Sequence, residues 1–133
     1  MIVLPCHCMN LRNAARKVSA VYDAALEPLG ITIAQFSLLR RVERLAPVSL
    51  TELGRVTEHD RSTIGRNVRL LEKMGLLAQG RGTDQRETVV TLTDAGREAL
   101  RQGAPLWDAC QARIEAKLGP ERIAAIAEIL TAL

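Results

Sequence analysis

The sequence predicts a mainly α-helical fold that carries one small β-hairpin. Three observations lead there. Apolar residues recur at three- and four-residue spacing over most of the chain, the period of a helix with one buried stripe. The period changes once, at Leu76-Leu77-Ala78 and Thr88-Val89-Val90-Thr91-Leu92, two short β-prone runs flanking Gly80-Arg81-Gly82-Thr83-Asp84-Gln85-Arg86. Just before them, Leu50 to Gly75 reads as two short helices with a turn near Glu58–His59. Together these make a winged helix-turn-helix lobe, residues 47–93. It sits between N- and C-terminal dimerisation helices, residues 10–30 and 94–133, in one domain of 133 residues.

Each element has a local reason. Helix one covers Asn10 to about Leu26, with Leu11, Ala14, Val18, Val21, Ala25 and Leu29 on one stripe; Pro28 and Gly30 end it. Thr32 can cap helix two, which runs to about Leu45 with Phe36, Leu39 and Val42 inward, and Pro47 breaks it. Ser49 can cap helix three, Leu50 to about Thr57, held by Leu50, Leu53 and Val56. Asp60 can cap helix four, because its carboxylate accepts the free N–H groups of a first turn. Gly75 ends that helix, since glycine tolerates positive φ. The two β-runs then form a two-stranded wing. Thr93 caps a long helix from Asp94, in which Leu100, Gly103, Trp107, Cys110, Ile114 and Lys117 or Leu118 follow a seven-residue alternation suited to pairing with another helix. Pro105 should bend that helix. Gly119-Pro120 separates a last helix with Ile123, Ile126, Leu130 and Leu133 on one side.

Helix four has two faces. At about 100° per residue, Ile64, Val68 and Leu71 fall on one side and Ser62, Arg66, Arg69 and Lys73 on the other. The net charge of +3 is too small to argue for a nucleic-acid partner, but its distribution is local. Arg61, Arg66, Arg69 and Lys73 stand against the single anion Glu72, whereas the chain beyond Asp94 is nearly balanced. A helix with one core face and one cationic face suits the major groove of double-stranded DNA. The plain alternative is a solvated helix face.

Other classes fare worse. The histidines His7 and His59 stand in no acid or nucleophile constellation, so an enzyme is not expected. No segment is apolar for long enough to cross a membrane. Met1–Leu4 is apolar but short and lacks a basic leader, so it does not read as a secretory signal. The expected location is the cytoplasm, with the three cysteines reduced at rest. Cys6-His7-Cys8 offers soft ligands but lacks the spacing of a closed zinc site, and no metal or cofactor is expected. Apolar terminal helices around so small a lobe point to a homodimer on an inverted-repeat operator; an intramolecular bundle would bury the same residues.

Three motifs in order carry a family resemblance: Asp60-Arg61-Ser62-Thr63, then Leu71-Glu72-Lys73-Met74-Gly75-Leu76, then Asp84-Gln85-Arg86 continuing to Val90-Thr91-Leu92-Thr93-Asp94-Ala95-Gly96. The sequence resembles the MarR family of winged-helix transcription regulators over nearly its whole length. The resemblance implies a symmetric homodimer built from the first and last helices. It implies helix four in the major groove, with Arg61, Ser62, Thr63 and Arg66 near base edges and Arg69 and Lys73 near phosphate. Arg86 would lie near the minor groove, and Asp84 would orient the wing by pairing with a nearby arginine. The expected role is that of a repressor, with an activator as the alternative because the sign depends on where the operator sits, and binding would respond to a small molecule or an oxidant. An architectural DNA-coating protein, with no effector response, is the alternative.

Two sensor sites follow from the same resemblance. Cys8 stands where the peroxide-sensing branch of the family has its thiol, and Tyr22 where that branch has one thiolate-binding tyrosine. Two further tyrosine positions correspond to Arg12 and Ile33. Cys110 lies where two-cysteine sensors keep a resolving thiol on the partner subunit; Cys6–Cys8 pairing would strain so short a loop. The plain reading makes Cys6 and Cys8 a tail and Cys110 a small core residue. A ligand pocket between the dimer helices and the lobe would draw on Tyr22, Phe36 and Trp107, each of which could equally be core.

Overall fold

The structure, a computed structural model, describes residues 5–84 and 86–133. Met1–Leu4 and the hairpin residue Gln85 lie outside the described residues. In chain order the elements are α1 (His7–Leu26), a single 3-10 turn (Glu27–Leu29), α2 (Ile33–Leu45), β1 (Val48–Ser49), α3 (Leu50–Thr57) and α4 (Arg61–Lys73). They are followed by β2 (Leu77–Arg81), β3 (Thr88–Leu92), α5 (Asp94–Leu118) and α6 (Pro120–Ala132).

The helix starts are chemical. Thr32 Oγ1 accepts the Gln35 N–H at 3.2 Å while Gln35 Oε1 accepts the Thr32 N–H at 2.9 Å, a reciprocal box at the start of α2. Ser49 Oγ accepts the Glu52 N–H at 3.0 Å for α3. Asp60 Oδ1 accepts the Thr63 N–H at 2.7 Å for α4. Thr93 Oγ1 accepts the Gly96 N–H at 3.0 Å for α5, and its own O–H donates to the Gly75 carbonyl at 2.6 Å. One threonine therefore starts the long helix and ties it to the end of α4.

Three expectations are corrected. Helix α1 begins at His7 rather than Asn10, so Cys8 lies in its first turn and Cys6 immediately precedes it. The wing belongs to a three-stranded antiparallel sheet of order β1-β3-β2, not a two-stranded one. Val48 and Ser49 pair with Val90 and Val89 across β3. The second strand starts at Leu77 and reaches Arg81, with Leu77 opposite Leu92 and Arg81 opposite Thr88. As expected of one long helix, α5 spans Asp94–Leu118 with Pro105 inside it.

One core fills the space between α2, the lobe and α5. Leu26, Phe36, Leu39, Val42, Leu53, Ile64, Val68, Leu71 and Val90 are all sealed from solvent. The start of α5 docks onto the wing at Gly96. A Cβ there would fall 2.2 Å from the Leu76 carbonyl oxygen and 3.1 Å from the Leu92 side chain, so only glycine fits. Arg40 joins α2 to α5, its guanidinium lying 4.6 Å from the Phe36 ring centre and 4.5 Å from that of Trp107.

The seven-residue seam of α5 turns largely inward. Leu100, Gly103 and Cys110 are buried within the chain, and Trp107, Ile114 and Leu118 are half-buried. Most of the exposed large apolar residues lie instead on α1, at Met9, Leu11 and Val21, and on α6 and its C-cap, at Ile126, Ile129, Leu130 and Leu133; Leu45, Leu70 and Met74 are exposed elsewhere. Helix α6 buries none of its residues. Among the described residues, no helix is long and apolar enough to cross a membrane.

Candidate nucleic-acid interface

Helix α4 is the second helix of the motif, held against α3 by a tight turn. Glu58 takes the left-handed conformation at φ 57°. The His59 N–H closes on the Gly54 carbonyl at 3.0 Å. Ile64, Gly65, Val68 and Leu71 face the core. Arg61, Ser62, Arg66, Arg69 and Lys73 are exposed, and Thr63 is half-buried. The amphipathic split read from the wheel is thus the observed one.

Asp60 organises the first turn of that helix. Its Oδ1 accepts the Thr63 N–H and, at 2.8 Å, the Ser62 hydroxyl. The Thr63 backbone bond, the Ser62 and Thr63 side chains and the nearby Arg66 charge hold its carboxyl down at about 2. Asp60 is therefore ionised at neutral pH and serves only as an acceptor. Arg66 reaches back toward the Thr63 hydroxyl at 3.5 Å, a contact at the limit of a hydrogen bond. Further along, Glu72 crosses to the wing and accepts two bonds from Gln79.

The wing tip is shaped by Asp84. Its carboxylate accepts the Arg86 backbone N–H at 3.0 Å, and its carbonyl accepts the Glu87 N–H at 2.9 Å. This is an Asx-type turn, and it leaves the Arg86 side chain exposed at the tip. The bond that Asp84 makes here is to the Arg86 backbone, not to an arginine side chain.

Within one chain the sensor candidates lie apart. Cys6 and Cys8 are exposed at the start of α1, whereas Cys110 is 0% exposed. Cys8 and Tyr22 share one helix and stand fourteen residues apart, about 21 Å along the axis at 1.5 Å per residue. Tyr22 O–H donates to Gln111 Oε1. Burial pushes its phenol above the ordinary range, and Cys110 and Glu115 add to the shift. Phe36 is sealed in the core and shares Arg40 with Trp107, while Tyr22 reaches α5 through Gln111. A cavity of about 350 Å³ opens elsewhere, between α2, the turn after α3, and α4. Arg41, Thr57, His59, Asn67 and Leu70 are among its lining residues. No group of three or more His, Cys, Asp or Glu side chains among the described residues is placed to hold a metal.

Sequence reasoning missed Glu72, Gln79 and Arg41. Arg41 donates to the Val56 carbonyl at 3.1 Å and so ties α2 to the motif. None of the three carries a local signal, because each acts on a residue in a different element.

A cationic helix carried by a helix-turn-helix, with a hairpin beside it, defines a winged-helix protein. The MarR family profile matches residues 29–87. A helix-turn-helix transcriptional repressor of Mycobacterium bovis is 31% identical over 97 residues, 72% of this chain and 70% of that one. A helix-turn-helix transcriptional regulator of Bacillus subtilis is 28% identical over 83 residues, 62% of this chain; the match spans 61% of that regulator, less than two thirds of its length. Among solved structures, the M. tuberculosis transcriptional regulator MosR in complex with DNA superposes with a TM-score of 0.85 at 35% identity, covering 96% of this chain and 95% of that one. The chain belongs to the MarR family. Its relatives are transcription regulators, not enzymes.

Proposed function

We propose that this chain is a sequence-specific double-stranded DNA-binding transcription regulator, a repressor that acts as a homodimer. The exposed cationic edge of α4 carries the reading, with its first turn held rigid by Asp60. Arg61, Ser62, Thr63 and Arg66 would meet base edges, Arg69 and Lys73 phosphate, and Arg86 the minor groove. That the MosR structure contains DNA, and that the M. bovis relative is a repressor, supports the same reading. Selection of bound duplexes from a random library tests it. A short inverted repeat is expected. Duplexes with no common motif, bound equally well, would instead make it an architectural protein.

Helices α1 and α6 would form the dimer, since their exposed apolar residues find no cover within the chain. For the effector, geometry favours a small molecule in the cavity between α2 and α4. Oxidation is the second reading, and the exposed Cys8 carries it. A peroxide would oxidise the Cys8 thiolate to sulfenic acid and be reduced to water. A second thiol would then expel that oxygen as water and close a disulfide. The partner's Cys110 could serve only if it left its buried position. Non-reducing gels after peroxide treatment decide this: a dimer band absent in Cys8→Ser supports oxidation, and unchanged DNA binding without any band removes it.

A further inference from the structure

Glu72 is the one anion on a helix otherwise bearing Arg61, Arg66, Arg69 and Lys73. On a surface meant for a polyanion it lowers affinity by simple repulsion, so its presence needs a compensating role. The structure shows where both its oxygens go. Oε2 accepts the backbone N–H of Gln79 at 3.2 Å, and Oε1 accepts the side-chain amide of the same residue at 3.2 Å.

Gln79 sits in the middle of β2, which is an edge strand because the sheet order is β1-β3-β2. In an antiparallel pair, alternate N–H groups of an edge strand point away from their neighbour and have no ladder partner. The Glu72 carboxylate takes one of these. The bond spans the turn at Met74–Leu76 and joins the last turn of α4 to the strand that leads into the wing tip. From Gln79, β2 continues to Arg81, and the chain then turns through Asp84 toward Arg86. The Glu72–Gln79 junction therefore sets where the wing stands relative to the cationic edge of α4.

We propose that Glu72 is a positioning residue that locks the wing to the DNA-facing helix, so that helix and wing meet a duplex as one rigid piece. This rests on the DNA-binding reading above. It makes the carboxylate unfavourable as a charge and favourable as a hydrogen-bond acceptor, two effects that different substitutions separate. Glu72→Gln keeps an oxygen for the Gln79 N–H and removes the charge. Glu72→Ala removes both. Gln79→Ala keeps the charge and removes the side-chain amide.

The test uses the full chain, the duplex selected above and a random duplex. Fluorescence anisotropy gives the affinities, and amide exchange by NMR reports on Gln79. Glu72→Ala is expected to bind the selected duplex roughly tenfold more weakly, about the loss of one charge-assisted hydrogen bond. It should bind the random duplex about two- to threefold more tightly, because one repulsive charge is gone. Its Gln79 amide should exchange at least about tenfold faster, the junction bond being lost. Glu72→Gln should bind both duplexes more tightly and keep Gln79 protected. Gln79→Ala should weaken the selected duplex without any gain on the random one, and it carries the comparison if Glu72→Ala does not fold.

An equal tightening of both duplexes in Glu72→Ala, the same as in Glu72→Gln, would reduce Glu72 to a bare charge and overturn the proposal. So would an unchanged Gln79 exchange rate in Glu72→Ala. A wild-type protein that selects no duplex would overturn the DNA reading and the proposal with it, and is told apart from the first two results by that absence.

Discussion

Ser62 and Arg66, on the proposed DNA-reading edge of α4, are placed by bonds to their neighbours. The Ser62 hydroxyl donates to Asp60, and the same carboxylate caps the helix that carries both residues. Arg66, proposed to face bases, and Lys73, proposed to face phosphate, should then fail differently. Arg66→Ala is expected to cost about 1–3 kcal/mol on the selected duplex and to relax sequence preference. Lys73→Ala should weaken all duplexes alike and flatten the salt dependence. Anisotropy titrations at several salt concentrations check both, and equal losses on selected and random DNA for Arg66→Ala would contradict its assignment. Asp60 gives a prediction in pH. Its carboxyl falls from 3.8 to about 2 in the folded chain, so the ionised form stabilises the fold above 3.8 and that contribution fades as pH drops toward 2. The gap in thermal midpoint between wild type and Asp60→Ala should therefore be full at neutral pH and close between those two values. The four caps, Thr32, Ser49, Asp60 and Thr93, were legible in the sequence because a cap and its target lie within three residues. Glu72–Gln79 and Arg40 with Trp107 were not, since sequence separation hides a contact made across a turn or between helices.

Elements were legible in proportion to their length. The long helices announced themselves by period, and α3 matches its expected range, Leu50–Thr57. Strand β1 was missed because two residues after a proline hold no alternation to read. Its partner is β3, forty residues on, and only the folded sheet brings them together. The α5 seam was visible, yet its covering surface was not. Periodicity says that a face is buried and is silent about what buries it, and here much of that cover comes from within the chain. Gly96 tests the α5–wing joint. Gly96→Ala places a methyl group 2.2 Å from a backbone oxygen that cannot rotate away, and should destabilise the protein by about 2 kcal/mol or more. Chemical denaturation measures it. A loss near zero would mean that α5 slides freely on the sheet.

At the scale of the molecule, one lobe has a complete core and the terminal helices do not. Leu130 is 73% exposed and Leu133 94%, on a helix that buries nothing. A contiguous apolar face of that kind calls for a partner surface, and the proposed two-fold pairing supplies one. Analytical ultracentrifugation should find a dimer at micromolar concentration. The double variant Ile126→Glu and Leu130→Glu should sediment as a folded monomer that has lost the inverted-repeat preference. A wild type that stays monomeric would remove the two-half-site account. The lobe was readable in advance because it is self-contained. The exposed apolar face at the C-terminal end was only partly so: the sequence marked Ile126, Leu130 and Leu133 but not Ile129.

The guanidinium of Arg40, held between two aromatic faces, has a mechanical corollary. Arg40 and Phe36 stand on α2 and Trp107 on α5, so the cation pins those two helices together. The Gly96 contact pins the first turn of α5 to the wing. Fastened at two places along its length, the long helix has its direction fixed by both.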